Sequence, residues 1–321
     1  MEENFVKQLF DYLNNNAGHH LESADNLKEF MRFLGKMQSP ISIRNKLLTF
    51  GYNPGATDIH TRDEWLKYGI SVLNEDAMIY NLQKNPESPM GYEERVMYDV
   101  SSTDAEVKKF ETFPDAGFFA ERLLMYPPCP VKYRVGSLEN NRKAYYDLEK
   151  GLIEVTGGYK DEAQVCQKLL QEYAHFYFCE MDGVRKVTYD REKHSMEALA
   201  VSYAVCIRYD IKPPQIDVVS PPMGKAEDRI EVLKGLDTVL GKISKRIDEG
   251  GVQQQRFLKG TTESEQGRAE PQDNSNWKDQ SVLQGQPTPQ DWFDGQDKQM
   301  PQDQLVSQAQ STAYIANQER G

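Results

Sequence analysis

Leu169-Leu170-Gln171-Glu172-Tyr173-Ala174-His175-Phe176-Tyr177 is the stretch that decides the fold of the second half of the chain. Apolar residues recur around it at helical spacing, which predicts a helix over residues 161–180. Gln171 and His175 are four residues apart and therefore share one face of that helix, with Glu172 beside them. The stripe expected to face the core consists of Val165, Leu169, Tyr173 and Phe176.

Residues 171–175 follow the frame of the zinc-peptidase motif H-E-x-x-H, with Gln171 where the first His belongs. In a working site the two His hold zinc and the Glu acts as general base. An amide oxygen is a poor zinc ligand, because zinc prefers imidazole, thiolate or carboxylate. The motif therefore predicts a peptidase scaffold whose metal site is weakened or lost.

A second predicted helix, residues 194–209, carries a glutamate next to its apolar stripe. Its segment Glu197-Ala198-Leu199-Ala200-Val201-Ser202-Tyr203 resembles the downstream helix of ImmA/IrrE-like and LtrC-like zincin domains. The resemblance spans about residues 130–210 and implies a zincin-like α+β domain.

The same resemblance assigns a role to each polar residue of the two helices. Glu172 matches the general base, if the domain is active, and His175 matches the second His ligand. Glu197 matches the carboxylate ligand, whereas Gln171 stands at the degenerate first-ligand position. His194 is either a substitute ligand or a solvent-facing residue at the helix start. The implied cofactor is a weakly held zinc ion, and Gln171→His is expected to raise zinc affinity if the other ligands converge.

Strand-like patterns precede the motif helix. They predict strands at residues 131–135, 143–147 and 152–155, the last two forming a hairpin. In zincin-like domains such a strand offers an edge along which an extended peptide lies. This edge is therefore a candidate site for a protein partner, with or without catalysis.

The first half alternates between helical and strand-like patterns. Helices are predicted at residues 4–13, 25–37 and 42–48. A short helix is predicted to begin after Thr61 and to end at Gly69, because Glu64 completes a capping box. Strands are predicted at residues 71–72, 77–80 and 96–100.

Four short motifs in this half resemble the N-terminal domain of ArdC-type antirestriction proteins. They are Ser42-x-x-Asn45-x-Leu47-Leu48, Pro54-x-Ala56-Thr57, Trp65-x-x-x-Gly69 and Tyr98-Asp99-Val100-Ser101-Ser102-Thr103. The resemblance covers about residues 5–105. It implies an α+β domain that binds single-stranded DNA and belongs to a conjugative plasmid or transposon.

The local charge agrees with a nucleic-acid-binding surface. Between residues 28 and 67 there are seven basic and four acidic side chains, interleaved with aromatic residues. Single strands need cations along the phosphates and rings on which bases stack. The alternative is a solvated basic face whose aromatic residues lie in the core. The candidate DNA-binding residues are Arg44, Asn45, Lys46, Tyr52, Arg62, Trp65 and Lys67.

Bulk properties limit the function classes. The 321 residues carry a net charge of −12, which argues against a general polyanion binder and requires any DNA surface to be local. No signal-peptide pattern and no long apolar run is visible, so we expect a soluble, cytoplasmic protein that does not enter membranes. The four cysteines form no C-x-x-C pair, which is typical of free thiols in a reducing compartment.

The sequence thus predicts an α+β protein with an ArdC-like domain (1–105), a zincin-like domain (106–250) and a disordered tail (251–321) rich in Gln, Asp and Pro. The predicted function is that of a single-stranded-DNA-binding, antirestriction-like accessory protein whose zincin-like domain no longer cleaves. Two alternatives stay open. One is a zinc metallopeptidase with an imperfect ligand set, and the other is a non-catalytic adaptor that binds a protein partner through the cleft or the tail.

Overall fold

The computed structural model describes residues 2–134, 136, 138, 142–181, 189–217 and 225–265. Helices and two small sheets alternate along the chain, so the predicted α+β class is confirmed. The helices are α1 (Glu2–Asn16), α2 (Ala24–Lys36), α3 (Ile43–Tyr52), α4 (Arg62–Lys67), α5 (Ala116–Met125), α6 (Glu162–Met181), α7 (Ser195–Arg208) and α8 (Ala226–Glu265). The strands are β1 (Ile59–His60), β2 (Ile79–Lys84), β3 (Tyr92–Asp99), β4 (Val131–Tyr133), β5 (Ala144–Asp147) and β6 (Leu152–Val155).

The first sheet has the order β1-β3-β2 and is antiparallel throughout. Helix α3 is fixed to it by the Asn45 side chain, which donates to the Leu82 carbonyl at 3.0 Å and accepts from the Leu82 N–H at 2.9 Å. Helix α4 begins with the predicted capping box of Thr61 and Glu64, and Gly69 follows it with a φ of 74°. A positive φ of this kind suits glycine, which has no Cβ to clash.

The second sheet has the order β4-β6-β5, with β5 at an edge and packed against α6. Strand β6 pairs in parallel with β4 and antiparallel with β5. Helix α6 matches the predicted helix over 161–180 closely, and α7 matches the one over 194–209. Helices α6 and α7 pack against each other, and Glu172 and His175 of α6 are buried.

A close crossing of α2 and α7 joins the two halves of the chain. Gly35, near the end of α2, lies so close to α7 that a Cβ built on it would be 2.6 Å from the Ala204 carbonyl oxygen. One turn further along α7, the partly buried Arg208 guanidinium donates to the carbonyls of Gly35 and Met37, at 3.1 Å each. It thereby satisfies acceptors that the end of a helix leaves without partners. Phe110 covers the same guanidinium at 4.3 Å.

A single hydrophobic cluster extends across the predicted domain boundary at residues 105/106. It contains buried side chains from α1–α3 together with others from α5–α8. Only a small second cluster, formed by Trp65, Tyr98 and Val100, is separate among the described residues. The two predicted domains therefore share one core in the part of the chain that the structure describes.

Several element boundaries differ from the predictions. Helix α3 continues to Tyr52, beyond its predicted end at residue 48, and Asn53 follows it, with a side chain that accepts from the Gly55 N–H. Helix α5 was not predicted, although Asp115 caps it just after Pro114. Helix α8 runs on to Glu265, into the segment predicted to be disordered, and the rest of that predicted tail (266–321) lies outside the described residues. Within the described ranges, no helix is long and apolar enough to cross a membrane.

Because α2 and α7 cross closely at Gly35, we expect alanine substitution to have opposite effects on stability at two helical glycines. Gly35→Ala places a methyl group against a backbone oxygen, and we expect it to lower the free energy of unfolding by about 1–3 kcal/mol. Gly241→Ala, in α8, meets no atom within 4 Å and should raise stability by up to about 1 kcal/mol. Urea unfolding of both variants checks this. Equal effects of the two substitutions would show that the crossing is not tight.

Candidate functional site

Glu172, the residue at the general-base position, is buried on α6 with its carboxylate fully engaged. Its two oxygens accept from Nη2 of Arg191 at 2.6 and 2.8 Å, and one of them also accepts from the Tyr146 N–H at 2.7 Å. The side chain is 4% exposed. Both oxygens of this carboxylate already accept charge-assisted hydrogen bonds, so neither is left to activate a water molecule.

Arg191 reaches Glu172 from the segment that precedes α7. Its guanidinium lies over the Tyr145 ring, 4.7 Å from the centroid, which holds it by a cation–π contact. Arg142 contacts the same ring at 5.1 Å. Two guanidinium groups, those of Arg191 and Arg142, therefore lie near the motif, and their positive charge disfavours a metal cation there.

His175, the second ligand position, is buried beside Glu172. Its Nδ1 is 2.7 Å from the Tyr189 hydroxyl, so the ring is oriented by one hydrogen bond. Burial and the nearby charge of Arg191 lower the pKa of His175 to about 2, which keeps the ring neutral. A neutral, oriented imidazole is what a metal ligand needs.

The other two predicted ligands are engaged elsewhere. The Gln171 carbonyl oxygen accepts from Nζ of Lys168 at 3.2 Å. Glu197 is hydrogen-bonded to Nδ1 of His194, the residue that precedes α7 at its N-cap position. The His194 ring stacks on Tyr189 with a centroid separation of 5.3 Å, so it pairs with Glu197 and does not replace Gln171.

The metal site implied by the resemblance does not fit this arrangement. Among the described residues, no group of three or more His, Cys, Asp or Glu side chains is placed to hold a metal ion. His175 alone has the chemistry and orientation of a ligand, whereas Glu172 has a guanidinium as its counter-charge. The expectation that Gln171, His175 and Glu197 form one ligand set is therefore corrected.

Trp65, a predicted stacking residue, is part of the core. It is 3% exposed, and its indole N–H donates to the Tyr98 carbonyl at 2.9 Å. A ring buried in this way is not available to stack on a base. The burial corrects the prediction for Trp65 and agrees with the alternative that its aromatic group belongs to the core.

Three of the remaining candidates are engaged within the protein. Asn45 clamps α3 to β2 through the two bonds described above. Lys46 forms a salt bridge of 2.6 Å with Asp237 on α8, with both side chains largely buried. Arg62 pairs at 2.9 Å with Glu75, in the acidic turn after α4, and both are exposed. Each of these contacts reduces the charge or the donors available to a phosphate.

Arg44, Tyr52 and Lys67 are exposed, as a binding surface requires. Tyr52 is 46% exposed and packs one side against Tyr80. Of the seven candidates, Arg44 and Asn45 line a common groove, and Lys46 reaches its wall through Asp237. The other four do not line it.

This groove lies between α3, the β2–β3 pair and α8, and has a volume of about 510 Å³. Its cations are Arg44, Lys84 and Lys234, and Tyr92 is its aromatic residue. The other lining residues are Ser42, Ile43, Asn45, Leu82, Ile230, Glu231, Asp237 and Thr238. Lys84, Tyr92 and Lys234 give no sequence signal for this site, because they lie far from Arg44 in the chain and only the fold brings them beside it.

Comparisons with known proteins give a distant likeness. No protein-family model matches the sequence, and no curated protein matches it. Two solved structures of the antirestriction protein ArdC from the R388 plasmid are similar. The metal-free form has a TM-score of 0.40 at 11% identity and covers 66% of this chain and 86% of ArdC. The Mn(II)-bound form has a TM-score of 0.41 at 12% identity and covers 68% and 90%.

The environment of His175 predicts a pH dependence of stability. The folded-state pKa of about 2 lies below the ordinary value of 6.5, so below pH 6.5 the unfolded chain binds a proton that the folded chain does not. Stability is therefore lost as the pH falls below 6.5. We expect His175→Asn, whose amide replaces Nδ1, to remove about 2 kcal/mol of the loss between pH 7 and pH 5.

Urea unfolding of both proteins at the two pH values measures this difference. His20, whose pKa burial lowers to about 4, is present in both proteins and cancels in the comparison. An unchanged pH dependence in His175→Asn would contradict the assigned environment of the ring.

Proposed function

We propose that this protein is a single-stranded-DNA-binding accessory protein of the antirestriction type, carried by a conjugative plasmid or transposon. Its second half then serves as a scaffold and not as a peptidase. The observation that carries the proposal is the groove between α3, β2–β3 and α8, which concentrates positive charge on an otherwise acidic chain. The motif resemblance of residues 5–105 points to the same ligand.

The charges of the groove favour a polyanion. Arg44, Lys84 and Lys234 line it, and Lys46 reaches it through its salt bridge. Two carboxylates, Glu231 and Asp237, stand against these four cations, which leaves a surplus of two positive charges. The whole chain has a net charge of −12, so this surplus marks a local surface of opposite sign.

The first turn of α3 suits a phosphate group. Ser42 caps the helix, and Arg44 lies exposed in its first turn. The N–H groups at the start of a helix and its dipole favour an anion there, and Arg44 adds a bidentate donor. One phosphate at this position would leave Lys84 for a neighbouring phosphate of the strand, whereas Lys234 is paired with Glu231 at 3.0 Å.

Tyr92 supplies the surface on which a base stacks. It is half-buried in the groove wall, where Phe10 meets its ring edge-on at 5.3 Å and 78°. It pairs with Lys84 across β2 and β3, so a ring and a cation stand side by side. That combination is the one that sequence-tolerant single-strand binding uses.

The two alternative functions have less support from the geometry. A metallopeptidase needs a free general base, whereas Glu172 is paired with Arg191. A peptide adaptor would add a strand to the edge of β5, but the Tyr146 N–H on that edge already donates to Glu172. Both alternatives therefore require contacts that the protein uses internally.

Fluorescence anisotropy with a labelled 15-nucleotide oligo(dT) tests the proposal on the full chain. We expect affinity to fall with salt, and Arg44→Ala and Lys84→Ala each to reduce the slope of log K against log salt by about 0.7. Tyr92→Leu should weaken binding by roughly 1–3 kcal/mol without changing that slope, because it removes stacking and not charge.

Lys132→Ala is the matched control, since this exposed lysine lies on β4, outside the groove. It should bind as the parent does. Absence of any anisotropy change at low salt would overturn the proposal. Binding that survives both groove substitutions would move the DNA to the α4 surface of Arg62 and Lys67.

A further inference from the structure

An aromatic patch lies at the end of α3 that is remote from the groove. We define it by Tyr12 of α1, Tyr52 of α3, Met78 just before β2, and Tyr80 of β2. Tyr52 is 46% exposed, and its ring centroid lies 5.7 Å from that of Tyr80. Tyr12 and Met78 are exposed as well. The patch therefore presents apolar and aromatic surface without any charged side chain of its own.

We infer that this patch is a second stacking site for the same single strand, in addition to Tyr92 in the groove. The inference rests on the proposed function and narrows the ligand class. The groove holds one base and its phosphates, and the patch holds a base further along the strand. The preferred ligand is then a single strand long enough to reach both rings, and not a short fragment or a duplex.

Two elements connect the groove to the patch, and both give a similar separation. Asn45, which lines the groove, and Tyr52 share one face of α3, about 11 Å apart at about 1.5 Å per residue. Lys84, also in the groove, and Tyr80 point to the same face of the sheet, about 13 Å apart along β2. Neighbouring nucleotides of a stacked strand are about 3.4 Å apart, so about five nucleotides reach both sites.

The rings of the patch are held by contacts that leave Tyr52 half exposed. Phe5 meets the Tyr80 ring edge-on at 4.9 Å, and the Tyr80 hydroxyl donates to Sδ of Met78 at 3.6 Å. The Tyr12 hydroxyl lies against the last turn of α3, where a Cβ on Gly51 would clash with it. Tyr80 thus supports Tyr52 from one side. A ring that is already ordered loses little conformational entropy when a base stacks on it.

The chemistry of the patch differs from that of the groove. The groove offers Arg44 and Lys84 to phosphates, whereas the patch offers rings and a thioether. Every base has a π-face, so stacking on Tyr52 adds affinity with little sequence preference. In a duplex those faces are covered by the neighbouring base pairs. The patch therefore favours single strands over duplexes, without distinguishing one sequence from another.

Competition of unlabelled oligo(dT) of 2, 4, 8 and 15 nucleotides against the labelled 15-mer tests the inference on the full chain. For the parent we expect a steep rise in affinity between 2 and 8 nucleotides, where the strand first reaches both rings. Tyr52→Leu should weaken binding of the 8-mer by about 5-fold or more and leave the 2-mer unchanged. Tyr52→Phe keeps the ring and should bind both lengths as the parent does.

Tyr68→Leu is the matched control, because Tyr68 is an exposed tyrosine that follows α4, outside both the patch and the groove. It should bind every length as the parent does. A duplex of the 15-mer should bind equally well to the parent and to Tyr52→Leu. The second site is overturned if Tyr52→Leu binds the 8-mer as the parent does, or if it weakens the 2-mer or the duplex as much as the 8-mer.

Failure of the proposed function gives a different result. If Arg44→Ala and Tyr92→Leu bind every length as the parent does, the groove is not the DNA site and the second site is overturned with it. If these two variants weaken every length while Tyr52→Leu matches the parent, the groove is supported and the second site alone is overturned.

Discussion

The contact on which the rest of the structure depends is the crossing of α2 and α7. Gly35 lets the two helices approach until its Cα faces the Ala204 carbonyl, and Arg208 then binds the free carbonyls at the end of α2. Burying a guanidinium is unfavourable by itself, and burial lowers the pKa of Arg208. The carbonyl acceptors and the Phe110 ring offset that cost, and they also fix the relative position of the two halves.

The same crossing places both candidate sites. Helix α7 packs on both α2 and α6. The position of α2 therefore influences where the Glu172–Arg191 pair and His175 lie. Helix α8 packs on α7 and closes one wall of the groove against α3, where Lys46 meets Asp237. The groove and the surroundings of Glu172 and His175 are thus held by one framework, although their chemistry is different.

Sequence patterns predicted the elements that short-range rules control. The capping box of Thr61 and Glu64 depends on residues three apart, and the α6 periodicity depends on a single helix face, so both were recognisable. Contacts between residues that are far apart in the sequence could not be recognised in this way. Trp65 was predicted to stack on bases because the contact that shows its burial, a hydrogen bond to the Tyr98 carbonyl, joins residues 33 positions apart in the sequence. Arg191 gave no signal at all, since an arginine ahead of a helix has no distinctive spacing from the carboxylate it neutralises.

The shared core has a consequence for how the chain is made. A ribosome delivers α2 long before α7, so the apolar face around Gly35 stays exposed until residue 208 has left the exit tunnel. Contacts so far apart in sequence form slowly, because the intervening loop must close first. The nascent first half is then a client for chaperones and a target for proteases, and translation that stops near residue 105 yields a fragment without its packing partner.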